Sequence, residues 1–174
     1  MVDTKVMVAV PTAEMARRAD FYDYFNRMDK PLGTILTFAH GQSPARNRNI
    51  MIEQGLAHGA THMLFIDDDT AFQPDLLTRL LKHNVDIVGG LYYMRSYPHT
   101  PIVFDYVASD GRCRTRYLKD GDSGLVEVVG MGLGCCLIKT QVFRDVEAPW
   151  IRLGELEPDH WCCLLYTSDA AYEL

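Results

Sequence analysis

The stretch Met63-Leu64-Phe65-Ile66-Asp67-Asp68-Asp69-Thr70 decides the predicted fold. Four apolar residues followed at once by three acids predict a strand that is buried on both faces and ends in a cluster of carboxylates. Three adjacent carboxylates repel one another, so the cluster is costly unless a cation or a hydrogen-bonded ligand lies beside it. In an open α/β sheet, ligands bind beyond the carboxyl ends of the strands. The stretch therefore predicts a divalent-metal site that holds a phosphate-bearing substrate.

The alternative interpretation is a solvated acidic turn, with Asp69 or Thr70 beginning a loop.

Strand-like and helix-like segments alternate on both sides of this stretch. The strands are short, apolar and rich in β-branched residues, and the helices show apolar residues three and four positions apart. This alternation predicts an α/β fold with a Rossmann-like, doubly wound, mostly parallel sheet. The predicted strands are 5–10, 34–39, 63–66 and 86–90, and the predicted helices are 13–28, 44–58 and 73–82.

The pattern changes after Leu91, where an aromatic, irregular segment begins. Residues 101–107 and 112–118, with Ser109-Asp110-Gly111 between them, predict an antiparallel hairpin added to the parallel core. The glycine-rich segment 130–134 lacks the strand-to-helix setting of a dinucleotide fingerprint. It is interpreted as close backbone packing near a ligand.

The start of the second predicted helix carries its own binding signal. Ser43 followed by Pro44 is typical of an N-cap and first helical position. An arginine in the first turn, here Arg46, opposes the helix dipole, which favours anions at that end. We therefore expect an anion-binding helix start that includes Arg46 and Asn47. The alternative is that Arg46 and Arg48 are surface residues paired with acids, and this alternative is preferred for Arg48.

Length and composition limit the classes of function. The 174 residues suit one domain, with an apolar share of 48% and a charged share of 23%. Seventeen Lys and Arg against 23 Asp and Glu give a net charge of −6 without a basic run, so nucleic acid is not an expected partner. The chain has no signal-peptide layout and no long apolar stretch, so we expect a cytoplasmic protein without a membrane-spanning segment. The five cysteines have no Cys-x-x-Cys spacing and are expected to be reduced.

The last residues do not resemble the rest of the chain. The run from Cys163 to Ala171, followed by Tyr172 and Glu173, resembles a translated sequencing adapter, although that pattern has Asp where Tyr172 stands. We therefore expect a single domain over 1–161 that is incomplete at its C-terminus, and a non-native tail over 162–174. The alternative is a genuine short polar tail.

Five motifs in this order resemble the nucleotide-sugar half of family 2 glycosyltransferases with the GT-A fold. The resemblance extends from Lys5 to about Val146. The motifs are Pro11-Thr12, Ser43-Pro44-Ala45-Arg46-Asn47, Phe65-Ile66-Asp67-Asp68-Asp69, Gln73-Pro74-Asp75 and the segment from Gly130 to Ile138.

The resemblance implies a glycosyltransferase, inverting in its stereochemistry, that uses a nucleotide-diphosphate sugar and Mn²⁺ or Mg²⁺. It implies that Asp67 faces the ribose or the water shell of the metal and that Asp69 ligates the metal, with Asp68 as a second candidate. The same resemblance implies that Pro11 and Thr12 flank the nucleotide base and that Arg46 and Asn47 contact the nucleotide. Possible donor or acceptor contacts are Tyr92, Tyr93 and Gly132, although for the two tyrosines core packing is an equal alternative.

The resemblance is incomplete at the catalytic base. Inverting members carry a further acid that deprotonates the acceptor hydroxyl, and none of Glu155, Glu157 and Asp159 stands in a recognisable match. The catalytic residue is therefore unassigned, and we expect a chain that binds a metal nucleotide but transfers sugar poorly to an acceptor that is a glycan, a lipid or a protein.

Two alternative functions remain. One is a non-catalytic nucleotide- or carbohydrate-binding module. The other is a Mg²⁺-dependent phosphatase of the haloacid dehalogenase type, which is disfavoured because Ala71 stands where that motif has Thr or Val.

Overall fold

The structure is a computed structural model that describes residues 4–12, 19–107, 113–117, 119, 123–152 and 170–173. Strands and helices alternate through the first half of the chain, and strands predominate afterwards. The strands are β1 (Val6–Pro11), β2 (Ile35–Ala39), β3 (His62–Ile66), β4 (Ile87–Gly90), β5 (Val103–Val107), β6 (Cys113–Thr115), β7 (Leu125–Glu127), β8 (Gly130–Met131), β9 (Cys135–Lys139) and β10 (Ala170–Glu173). The helices are α1 (Ala19–Arg27), α2 (Pro44–Ala57), α3 (Leu76–His83) and α4 (Thr140–Asp145).

The strands form a mixed sheet of seven, in the order β2-β1-β3-β9-β4-β10-β7, and a separate antiparallel sheet of three, in the order β6-β5-β8. Five of the eight strand pairings among the described residues are antiparallel. The prediction of a Rossmann-like, doubly wound, mostly parallel sheet of the GT-A type is therefore wrong. Its error lies mainly at β9, which enters antiparallel between β3 and β4. An apolar run shows that a strand is buried, but it does not show the direction in which the strand runs.

The central strands are covered on both faces. Met7 and Ala9 of β1 belong to a core cluster on one side of the sheet, which includes residues of α2 and α4. Val8 and Val10 belong to a second cluster with residues of α1 and α3. Burial on both faces explains why these strands are continuously apolar instead of alternating with polar residues.

Helix α2 begins and ends close to where its sequence predicts. The Ser43 hydroxyl accepts a hydrogen bond from the Arg46 backbone N–H at 3.3 Å, and Pro44 is the first helical residue. Gly55 allows the helix to approach β3, because a Cβ at this position would lie 2.7 Å from the Met63 sulfur. The helix is thereby held against the strand that carries the acid cluster.

The predicted hairpin is confirmed as the antiparallel pairing of β5 with β6, in which Val107 lies opposite Cys113. Its turn falls outside the described residues. Ala170–Glu173, assigned above to a non-native tail, form β10 between β4 and β7. Strand pairing uses backbone groups that every sequence carries, so this position does not test the origin of the tail, which stays a prediction. Among the helices that the structure describes, none is long and apolar enough to cross a membrane.

Candidate functional site

The acid cluster and the residue that follows β1 lie at one edge of the large sheet. Strands β1 and β3 are parallel neighbours, so their carboxyl ends open at the same edge. The Thr12 backbone N–H donates to the Ala39 carbonyl at 3.0 Å, and the Thr12 hydroxyl donates to Asp68 Oδ2 at 2.6 Å. Thr12 therefore fixes Asp68 from the neighbouring strand.

Asp67 is held by a buried arginine. Its Oδ1 accepts a hydrogen bond from Arg48 Nη2 at 2.8 Å, and its backbone N–H donates to the Gly134 carbonyl at 3.0 Å. The Arg48 side chain is only 7% exposed. The interpretation of Arg48 as a surface residue is therefore wrong, although its expected pairing with an acid is confirmed. The sequence contained a signal for this position, because Arg48 lies on the same helical face as Ala45 and Ile52, which are both buried.

Asp69 has a different kind of partner. Its Oδ2 forms an ion pair with Arg95, which follows β4 in an irregular segment. The Arg95 side chain is 67% exposed. Sequence reasoning did not identify Arg95, because no periodicity relates a residue in an irregular segment to the end of a distant strand.

The three neighbouring carboxylates thus have three separate partners: Arg48, Thr12 and Arg95. Two of these partners are cations, so the protein's own side chains supply charge that compensates the cluster. Burial raises the pKa of Asp67 above its ordinary value; the charge of Arg48 lowers this pKa, and the charge of Asp68 raises it. The described part of the chain contains no group of three or more His, Cys, Asp or Glu side chains placed to hold a metal ion.

Tyr92 and the glycine-rich segment form the wall beside Asp67. The Gly134 backbone N–H donates to the Tyr92 hydroxyl oxygen at 2.9 Å. A Cβ at Gly134 would lie 2.8 Å from both Asp67 Oδ2 and the Tyr92 ring, and a Cβ at Gly132 would overlap the Tyr92 hydroxyl. Burial also raises the pKa of Tyr92. The structure therefore supports the packing alternative for Tyr92 and explains both glycines by close approach.

The other predicted site residues lie at different depths. Pro11 is buried at the end of β1, and Arg46 is exposed on the first turn of α2. Asn47 is 2% exposed and donates through Nδ2 to the Gln42 carbonyl at 3.3 Å, and its Oδ1 has no hydrogen-bond partner among the described residues. The contacts of the described residues do not join Arg46 or Asn47 to the carboxylates.

Tyr93, next to the packed Tyr92, is 45% exposed. It lines a surface cavity of about 290 Å³ together with Pro98, His99, Thr100, Pro101 and Tyr117. The two adjacent tyrosines therefore have different environments, although neighbouring residues in the sequence do not distinguish them.

Comparisons with known proteins show the fold only. No family model matches the chain, and no curated protein sequence matches it. Solved structures do match, among them the crystal structure of A197 from STIV, with a TM-score of 0.60 and 18% sequence identity over 86% of this chain and 72% of that chain.

Proposed function

We propose that this protein is a glycosyltransferase that takes a nucleotide-diphosphate sugar together with Mn²⁺ or Mg²⁺ at the edge formed by Thr12 and Asp67–Asp69. The observation that supports this function is the convergence of Thr12, Arg48 and three carboxylates beyond the ends of two adjacent parallel strands. Such an edge is where α/β sheets bind ligands. The order of motifs along the chain further supports this class of donor.

The donor set suits a metal that arrives with phosphate oxygens. Mg²⁺ keeps several waters and uses one or two carboxylates plus substrate phosphates, so a complete protein cage is unnecessary. Asp69 is the best ligand candidate, because its side chain is 36% exposed and its partner Arg95 is itself exposed. When bound, the metal neutralises the charge that develops on the diphosphate leaving group.

The chain's own residues orient this edge. Arg48 holds Asp67 from within the core, and Thr12 holds Asp68, so neither carboxylate has to be ordered when the donor binds. Arg95 pairs with Asp69 Oδ2 and would compete with a metal for that oxygen, and a guanidinium displaced from it would be available to a phosphate oxygen.

The general base is unassigned, because Glu155, Glu157 and Asp159 lie outside the described residues. We therefore propose binding of the metal nucleotide with poor transfer to a glycan, lipid or protein acceptor. We also propose a cytoplasmic location, supported by the free thiol of the buried Cys136.

The test is calorimetric titration with Mn²⁺ and UDP or GDP, comparing the unchanged chain with Asp69→Asn. We expect the variant to lose at least about tenfold in affinity, because even the loss of a group that supports a metal ligand costs this much. Asp23→Asn is the matched control, since Asp23 is an exposed acid of α1 that belongs to none of the five motifs. Equal affinity of the unchanged chain and Asp69→Asn would reject the metal site.

A second measurement separates the reaction classes. Slow hydrolysis of a UDP- or GDP-sugar with Mn²⁺ supports the transferase. Nucleotide binding without any turnover indicates a non-catalytic module, and release of phosphate from a monoester indicates a phosphatase.

A further inference from the structure

We propose that the surface cavity beside Tyr93 is a saccharide-binding subsite that takes a neutral sugar ring. The cavity is bounded by Tyr93, Pro98, His99, Thr100, Pro101 and Tyr117 and is called the tyrosine pocket below. Binding of a sugar in this pocket is independent of the function proposed above. We further assign the pocket to the sugar acceptor of the transfer reaction, and this assignment rests on the proposed function.

The lining matches the two kinds of surface that a pyranose presents. Tyr93 and Tyr117 are 45% and 65% exposed, and aromatic rings offer flat apolar faces for the C–H face of a sugar. Their hydroxyls and that of Thr100 offer hydrogen bonds at the edges of those faces. A cavity of about 290 Å³ is at the lower end of small-molecule pockets, so it suits a ligand the size of one or two rings.

The charge of the lining selects against the donor's phosphates. The six described residues that line the pocket include no lysine, arginine or carboxylate. A neutral, polyhydroxylated ligand is the class that such aromatic and hydroxyl groups satisfy, whereas a phosphate or nucleotide would find no lysine or arginine among these six residues.

His99 contributes a defined hydrogen-bonding edge. Its Nδ1 lies 3.0 Å from the Met94 carbonyl, which only accepts, so Nδ1 carries the hydrogen in this contact. In the neutral ring Nε2 is then an acceptor, which suits the hydroxyl of a sugar.

The pocket is organised before any ligand binds. Tyr93 forms a bridge with Pro101, the Met94 backbone N–H donates to the Thr100 carbonyl at 2.9 Å, and the His99 backbone N–H donates to the Ser96 carbonyl at 2.9 Å. These contacts close the segment 92–102 into a compact loop, which reduces the entropy that binding must overcome.

The same loop connects the pocket to the acid cluster. Arg95 lies between Tyr93 and His99 in sequence and forms the ion pair with Asp69. An acceptor in the pocket would therefore be held by the loop that also reaches the donor edge, which is the arrangement a transfer reaction needs.

The experiment measures binding of the full chain to an array of neutral oligosaccharides, without metal or nucleotide. The best ligand is then titrated against Tyr93→Ala, Tyr117→Ala and a matched control, Tyr106→Ala. Tyr106 is 53% exposed, lies in β5 and does not line the pocket. We expect each pocket variant to lose about tenfold in affinity and the control to bind as the unchanged chain does. Tyr117→Phe keeps the ring and should retain most of the affinity.

Three results would overturn the proposal. The first is that no oligosaccharide binds at millimolar concentration. The second is that Tyr106→Ala loses as much saccharide affinity as the pocket variants do. The third is that no saccharide binds but a decaproline peptide does, and that the pocket variants lose this peptide binding, which would indicate a peptide site. The protein could bind a saccharide without binding Mn²⁺ and UDP or GDP. This result would support the saccharide subsite and contradict the glycosyltransferase proposal, so the two proposals can fail separately.

Discussion

Arg48 and Arg95 neutralise carboxylates two positions apart, but they come from contrasting regions of the molecule. Arg48 projects from a regular helix into the core with 7% of its side chain exposed, whereas Arg95 reaches Asp69 from an irregular loop with 67% exposed. The acids they contact, Asp67 and Asp69, have equal exposure of 36%. The difference therefore lies in the arginines: one pair is part of the packed structure, and the other is open to replacement by a ligand.

The largest expected effect is that of Arg48→Ala. Removing one partner of a buried pair leaves the other charge uncompensated, so we expect a loss of about 3 kcal/mol in the free energy of unfolding. This is the lower end of such losses, because Asp67 keeps some contact with solvent. Urea denaturation measures the change. Arg27→Ala, which breaks an exposed pair with Asp23 within α1, is the control and should change stability by less than about 0.5 kcal/mol. Equal losses in the two variants would remove the contrast between buried and exposed pairs.

Tyr92→Phe is expected to cost about 2 kcal/mol, because the Gly134 N–H would be left without its acceptor in a buried position. Thermal or urea unfolding measures this loss. Tyr93→Phe provides the matched control, since Tyr93 is exposed, and it should leave stability unchanged. A stable Tyr92→Phe variant would show that the wall beside Asp67 does not depend on this hydrogen bond.

A dependence on pH should distinguish Asp67 from an ordinary surface acid. Its pKa is raised in the folded protein, first by burial, so the folded state holds this proton more tightly than the unfolded state. The stability that Asp67 contributes is thus greatest below its unfolded pKa and declines as pH rises through the raised folded pKa. Relative to Asp67→Asn, the unchanged protein should lose stability as pH rises within that window, by less than the full one-proton slope because the Asp67 side chain is 36% exposed and is screened by solvent. Unfolding of both proteins at a series of pH values from the unfolded pKa of Asp67 upward measures the slope. The substitution also removes the pair with Arg48, which adds an offset to the difference in the free energy of unfolding between the two proteins. A difference that does not change with pH would contradict the prediction.

The smallest expected effect on stability is that of Arg95→Ala, at below about 0.5 kcal/mol, because both members of the pair contact solvent. Removing the competitor of a metal at Asp69 should instead raise the affinity for Mn²⁺ alone, by up to about twofold, which is the equivalent of a surface pair of this strength. Mn²⁺ titration compares the variant with Arg114→Ala, which breaks a different exposed pair, with Asp105. Unchanged Mn²⁺ affinity would indicate that Arg95 does not compete for the position of the metal.

Local patterns predicted much of the site and of the elements that carry it. The buried strand that ends in acids, the N-cap at Ser43 and the hairpin of β5 and β6 were all predicted from neighbouring residues. The direction of β9 was not predicted, because the same apolar run suits a parallel or an antiparallel strand. Arg48 is buried in spite of its charge because it lies on the buried face of α2, with Ala45 and Ile52.

The sequence by itself determined which segments are buried and where charge collects, since both follow from residue type and from the periodicity of strands and helices. Only the tertiary structure decided which partner each carboxylate has, that Tyr92 packs while Tyr93 faces the surface, and that the large sheet is mixed. These are contacts between residues far apart in the chain, and a periodic pattern along the chain carries no information about which distant residue completes such a contact.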